Sequence, residues 1–237
     1  MFALKPYIAS FSGILSSLFF PKVCVNCGGH LFDHEEEICG ICIRQLPRTH
    51  FEKSPHDNAM TILMWGRSRI ERAYSLFYYR KGERVQQLLH EIKYRGNQRL
   101  GLALGHQLGK AIRRSKQVDY DYIIPIPLHP DKQRKRGFNQ AEVIAEGMAE
   151  VLAVETSTQH VFRKKYTSTQ TRKGRFERWV NVADIFTVEN EQDLLGKHLL
   201  LIDDVITTGA TMEACINTLK RTEGVKISIA TLATAVL

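Results

Sequence analysis

The sequence has no window of about 18 consecutive apolar residues, the length a membrane helix needs, and this excludes a helical span. Its 43% hydrophobic content is that of an ordinary globular protein, and with no such window and no export signal the chain is expected to be soluble and cytoplasmic. Acidic residues fall short of basic ones, 25 against 33, leaving a net charge of +8 that points to an anionic partner. The surplus is concentrated in two segments. Arg163, Lys164, Lys165, Arg172, Lys173, Arg175 and Arg178 stand against Glu177 alone, and Lys132, Arg134, Lys135 and Arg136 stand against Asp131. The first 22 residues lack a small-residue cleavage site, which argues against a signal peptide. Instead Tyr7, Ile8, Phe11, Ile14, Leu15, Leu18 and Phe19 form a stripe opposite Ser10, Ser12, Ser16 and Ser17, predicting an amphipathic helix packed on the body or a partner. Serines rather than lysines and arginines on its polar face argue against a membrane-surface role.

Cysteine is sparse, five residues in all, yet four fall in a C-x2-C-x11-C-x2-C pattern at Cys24, Cys27, Cys39 and Cys42. Each pair can present two thiolates to one ion at a tight turn, with Gly28, Gly29 and Gly40 in the knuckles. Two such pairs complete a tetrahedral zinc site with no position left for substrate, so the expected role is structural. Two disulfides are the alternative, disfavoured by a cytosolic setting. His30 and His34 could substitute as ligands, although solvated loop histidines are the simpler reading. Cys215 is expected in the core. At 237 residues the chain has room for one good core and a small appendage. The helix and cysteine module are assigned to residues 1–50 and the main domain to residues 51–237, with the polar stretch 51–69 read as a linker.

The main domain is organised around LLLIDDVITTGAT, Leu199 to Thr211. Leu199, Leu200, Leu201 and Ile202 predict a strand buried on both faces, ended by Asp203 and Asp204. Thr207, Thr208, Gly209, Ala210 and Thr211 follow, and then Met212, Cys215, Ile216 and Leu219 at helical spacing. A helix N-terminus with threonine hydroxyls and a glycine favours a phosphate. The carboxylates would repel a bare phosphate, so they suit sugar hydroxyls or a cation, and together the two ends describe a ribose 5-phosphate. An ordinary βα turn with an acidic N-cap is the alternative.

Elsewhere a strand is read over Ala73 to Tyr79, then helices marked by Val85, Leu88, Leu89 and Ile92 and by Leu100, Leu104, Leu108 and Ile112. Gly96 reads as a helix C-cap, with Lys93 and Arg95 favourable at the negative helix end. Tyr122 to Ile126 reads as a strand. Pro125, Pro127 and Pro130 force the chain out of the sheet as a stiff loop, and Gly137 and Phe138 open a helix striped by Ala141, Ile144, Met148 and Leu152. Strand-like Gln159 to Phe162 and Asp184 to Val188 flank the basic segment, whose Tyr166, Phe176 and Trp179 suit base stacking. Val225 to Val236 reads as the last strand.

LLLIDDVITTGAT resembles the phosphoribosyl diphosphate (PRPP) signature of type I phosphoribosyltransferases. With the cysteine module, the step at Lys93, Tyr94, Arg95 and Gly96, and IIPIPLHPDKQRKRGFNQ, the chain from Pro21 onward resembles the ComF family, associated with bacterial competence for DNA uptake. The resemblance implies an α/β fold with an open, mostly parallel sheet and flanking helices. It implies PRPP bound by Asp203, Asp204, Thr207, Thr208, Gly209, Ala210 and Thr211, with pyrophosphate at Pro127, Leu128 and His129 beside Arg136. Arg163, Gln170, Arg172 and Arg178 would belong to a hood over the reaction centre. Asp203, Asp204 and Arg178 are the catalytic candidates, with Mg2+ bridging substrate oxygens. The family also implies handling of single-stranded DNA, with a helicase partner through the zinc module. No acceptor signature is readable. Phe2 stands where a glutamine amidotransferase would need its nucleophilic cysteine, so glutamine-dependent amination by this chain alone is not expected.

Overall fold

The computed structural model describes residues 22–164 and 185–235. The helix expected over 1–22 lies, but for Lys22, outside them, as does the basic segment from 165 to 184. The chain divides into two compact units, Met1–Leu46 and Pro47–Leu237. The first carries the short helix α1 (Gly40–Gln45) and an antiparallel bridge between Val23 and His30.

The strands of the second unit are β1 (Ala73–Tyr78), β2 (Tyr122–Pro125), β3 (Glu155–Thr156), β4 (Val161–Arg163), β5 (Phe186–Val188), β6 (His198–Ile206) and β7 (Lys226–Thr234). β4 and β5 form an antiparallel ribbon, whereas the others make one parallel sheet in the order β1-β7-β6-β2-β3. Its helices are α2 (Ala59–Met64), α3 (Arg84–Arg95), α4 (Gln98–Arg114), α5 (Pro130–Arg136), α6 (Gln140–Leu152) and α7 (Ala210–Leu219). From β2 the chain proceeds outward to β3, but from β6 it turns the other way to β7. Strand order therefore reverses between β2 and β6, where open α/β sheets form a crevice at their carboxyl ends.

The four apolar residues at 199–202 are fully buried, as expected of a central strand covered on both faces. The acidic pair does not end that strand. β6 keeps pairing with β7 through Asp203↔Thr231, Val205↔Ala233 and Ile206↔Thr234. On its other side the ladder with β2 stops at Pro125↔Ile202, followed by one bond from Ile126 N–H to the Ile202 carbonyl at 2.9 Å. Pro127 has no N–H to extend it.

Two further expectations need correction. Residues 51–69 are not a linker: a 3-10 turn spans Phe51–Lys53, and α2 is capped by Asn58 and Thr61 in a reciprocal box. Met60 and Met64 of α2 are completely buried, and Asn58 Nδ2 donates to the Ala73 carbonyl at 3.0 Å. The passage after Pro127 is also more than a loop. Pro130 opens α5 at a first-turn position that needs no N–H. Gly137 closes it in the left-handed conformation, so α6 starts at Gln140 with Asn139 as its cap.

α4 and α6 approach so closely that glycine is required. A Cβ on Gly105 would lie 2.3 Å from the Ile144 carbonyl oxygen, and one on Gly147 equally close to that of Leu102. At Gly101 the obstacle is the Val143 side chain, at 3.0 Å. Gly105→Ala is expected to destabilise the domain by about 1–2 kcal/mol, overpacking outweighing the gain in helix propensity. Gly101→Ala, facing a side chain that can shift, should cost less; chemical denaturation of both variants measures the difference.

Candidate functional site

β6 delivers Asp203 and Asp204 to the crevice, and the turn 207–209 then leads into α7. Gly209 is the N-cap of α7 with φ of 76°, and no side chain caps the helix. Ala210 N–H reaches Thr208 Oγ1 only at 3.5 Å, so the first-turn N–H groups are available to an anion. Thr207, Thr208 and Ala210 are exposed and Thr211 is half-buried.

Neighbouring strand residues point to opposite faces, and the two acids obey that rule. Asp204 is buried and pairs with Lys93 of α3, Nζ to Oδ2, at 2.7 Å. Asp203 accepts the Asp204 N–H at 2.8 Å and lies close enough to Cys215 of α7 for its charge to reinforce the effect of burial, which pushes that thiol up to about 12. Burial and the Asp204 charge push the Asp203 carboxyl up to about 7, against the pull of the Asp204 N–H, Lys93 and Arg163. Cys215 itself is fully buried in the core, as expected.

Across the crevice, Pro127, Leu128 and His129 are half-buried. His129 caps α5, its Nδ1 accepting the Asp131 N–H at 3.2 Å. Asn139 braces the strand exit, with Nδ2 donating to the Ile126 carbonyl at 3.1 Å and Oδ1 accepting the Ala141 N–H. Arg136 lies over the exposed Tyr94 ring, 5.3 Å from its centroid, and donates to Gln140 Oε1 at 2.5 Å. A cavity of about 310 Å3 beside this loop is lined by Pro127, Leu128, Glu142, Phe162 and Arg163. Burial, with the nearby Glu146 charge, raises the Glu142 pKa even though Asn139 donates to it.

Of the expected site residues, the structure thus gathers Asp203, Asp204 and Thr207 to Thr211 on one side and Pro127 to His129 on the other. Arg163 sits on β4. Gln170, Arg172 and Arg178 lie outside the described residues. Two contacts escaped the sequence reading. Lys93, taken there as complementing the end of α3, also neutralises Asp204, and the helix does end at a left-handed Gly96. Arg67, within the supposed linker, donates Nη1 to the Thr208 carbonyl at 2.6 Å and Nε to Glu213 Oε2 at 2.9 Å. The signals available were the capping residues Asn58 and Thr61 and the apolar Met60, Leu63 and Met64 at helical spacing.

In the first unit the sulfurs of Cys24, Cys27, Cys39 and Cys42 lie within 4.8 Å of one another, and none is in a disulfide. Backbone N–H groups of Cys39 and Cys42 donate to Cys24 and Cys39 sulfur, and Asn26 Nδ2 donates to Cys42 sulfur at 3.1 Å. Burial opposes the Cys24 thiolate, yet the N–H groups of Cys39, Cys27 and Asn26 hold that thiol down at about 7. Sulfurs gathered and bonded in this way fit a tetrahedral metal ion.

Residues 139–235 match the family model for the phosphoribosyl transferase domain. Competence protein ComFC of Bacillus subtilis (strain 168) is 26% identical over 195 residues, 81% of this chain and 75% of that protein. Competence protein F of Haemophilus influenzae is 25% identical over 203 residues, 84% and 78% of the two chains. DNA utilization protein YhgH of Salmonella typhimurium is 27% identical over 146 residues, 60% and 63%. Among solved structures, the purine phosphoribosyltransferase of Pyrococcus horikoshii is 21% identical over 56% of this chain and 73% of that one, with a TM-score of 0.38. The second unit is a phosphoribosyltransferase-like domain with the type I fold. With a four-cysteine unit preceding that domain, the chain is similar along most of its length to the competence proteins ComFC and F.

The raised Asp203 pKa fixes the sign of a pH effect. Its carboxyl titrates near 4 when unfolded and at about 7 in the fold, so the folded state holds the extra proton between those values. That contribution is complete below about pH 4 and lost as pH rises through 7. Asp203→Asn should flatten the fall in Tm over this window and give a higher Tm than the parent at pH 8, read by scanning calorimetry. Equal slopes in the two proteins would refute a raised Asp203 pKa.

Proposed function

We propose that the crevice binds PRPP and that the chain transfers its phosphoribosyl group, with Mg2+, to an acceptor. The observation that carries this reading is the uncapped, glycine-started N-terminus of α7 beside an acidic pair at the strand-order reversal. The 5-phosphate takes the N–H groups and hydroxyls of Thr207 to Thr211. The ribose hydroxyls take Asp203 and Asp204, and pyrophosphate takes the turn at Pro127 to His129 beside Arg136.

Displacement at the anomeric carbon builds positive character on the sugar and negative charge on the leaving pyrophosphate. Mg2+ carried by the substrate supplies charge neutralisation there. Asp204 offsets the sugar's charge or accepts the acceptor's proton, while Asp203 holds the ribose. Arg163, and Gln170, Arg172 and Arg178 from the hood, screen the reaction and favour the leaving group. The cavity between Leu128 and Phe162 is the space an acceptor would use. Calorimetric titration with PRPP and Mg2+ tests this: the parent is expected to bind, and a folded Asp203→Ala/Asp204→Ala variant to lose at least about tenfold in affinity. No binding by the folded parent would overturn the reading.

In the first unit the metal is zinc, held by Cys24, Cys27, Cys39 and Cys42, and its role is structural. One equivalent of zinc should accompany the purified protein by elemental analysis, and Cys24→Ser together with Cys39→Ser should abolish it. Because zinc binding is folding energy in so small a unit, a strong chelator should expose residues 22–46 to protease while residues 47–164 and 185–235 resist. Metal content unchanged in that variant would exclude this ligand set.

A second reading makes the chain a cytoplasmic adaptor for single-stranded DNA, with a helicase engaged through the zinc unit. The net charge of +8 favours it, as do the names of the relatives, which speak of competence and DNA utilization. Steep weakening of DNA binding with salt would mark this mode, whereas PRPP binding depends on Mg2+ and the acidic pair. No helix among the described residues is long and apolar enough to cross a membrane.

A further inference from the structure

The turn proposed to take the 5-phosphate contains an ambiguity that its own residues do not resolve. In a trans peptide the carbonyl and the N–H point in opposite directions, and the described residues contain no cis bond. The Thr208–Gly209 peptide can therefore aim either its N–H or its carbonyl at an incoming anion. Glycine accepts both signs of φ, so Gly209 places little penalty on a flipped peptide. The 3.5 Å contact between Ala210 N–H and Thr208 Oγ1 is too long to decide the matter.

Arg67 supplies the missing restraint. Its Nη1 holds the Thr208 carbonyl at 2.6 Å, while Nε and Nη2 both donate to Glu213 Oε2 in the first turn of α7. A guanidinium is planar, so fixing two nitrogens on one carboxylate also fixes where the third can donate. The segment carrying it is anchored at both ends. Arg67 and Ser68 N–H bond the Met64 carbonyl at the end of α2, Ser68 Oγ donates to Asn217 Oδ1 at 2.7 Å, and α2 is seated by its buried methionines. Glu213 and Asn217 are four residues apart on one face of α7, so the segment grips that helix at two successive turns. Leu63 Cδ2 and Met64 Sδ occupy the space beside Gly209, at 3.2 and 3.4 Å from where a Cβ would stand.

We infer that Arg67 is a positioning residue: by holding the Thr208 carbonyl it turns the Gly209 N–H to the opposite side and keeps the turn in its anion-accepting form. Arg67 does this without touching the ligand. The inference rests on the phosphate reading of the turn given above, and it adds a determinant from outside the signature stretch, some 140 residues earlier in the chain.

The test is calorimetric titration of the full chain with two separate probes, ribose 5-phosphate and inorganic pyrophosphate, with Mg2+ present. Arg67→Ala should weaken ribose 5-phosphate by about tenfold while pyrophosphate, held at the other side of the crevice, stays within about twofold. Glu213→Gln keeps the arginine but loosens its fork, so it should give a smaller loss with the same selectivity; it also carries the test if Arg67→Ala does not fold. Parent-like affinity for ribose 5-phosphate in the folded variants would overturn the inference, as would equal weakening of both probes, the mark of a merely structural role. A parent that binds pyrophosphate but not ribose 5-phosphate would instead refute the phosphate reading of the turn, and the role of Arg67 with it.

Discussion

The site depends on an asymmetry in hydrogen bonding along β6. On one side its ladder with β7 runs to Ile206; on the other its ladder with β2 ends where prolines begin. A proline cannot donate, so the sheet must part there, and the parting falls where strand order reverses. Asp203 and Asp204 are thus carried past the last shared rung by a strand still rigidly held from one side. Two walls of the crevice are thus a continued ladder and a proline-stiffened exit braced by Asn139.

Such placement creates an electrostatic problem. Two adjacent carboxylates at the edge of a nonpolar sheet repel each other and lose hydration. The pleat relieves part of this by sending them to opposite faces, and Lys93 and the charge of Arg163 offset more. The relief is incomplete, which is why the Asp203 carboxyl stays raised. A cation or hydroxyl donors brought to this point would stabilise the ionised form of the pair further. Backbone N–H donors and carboxylate acceptors sit within a few residues of each other.

Much of this was readable from the order of residues. The apolar run at 199–202, the glycine before α7 and the cysteine spacing each express a local rule whose structural consequence is short-range. The acidic pair was read as the end of a strand because charge disfavours a sheet interior; pairing with β7 overrode that preference. The stretch 51–69 looked like a linker because its residues of the hydrophobic core, Phe51, Met60 and Met64, are few and set among polar ones. Its helix is so short that the caps Asn58 and Thr61 and one brief apolar spacing at Met60, Leu63 and Met64 are all that mark it. α5 was hidden by prolines, which signal a break but are also at home in a first helical turn.

By itself, then, the sequence determined the elements and the chemistry that each carries: a buried strand, two carboxylates, a glycine- and threonine-bearing turn, a proline exit and two cysteine knuckles. What only the tertiary structure decided is which distant groups complete them. Lys93 meets Asp204 and Arg67 meets the Thr208 carbonyl across more than a hundred residues of chain. The reason is physical: spacing along a chain encodes contacts within a turn or a strand, whereas these pairs exist because independent helices dock on one sheet edge. Close docking has its own requirement, seen in the glycines that let α4 and α6 approach backbone to backbone, and no local preference of either helix asks for it.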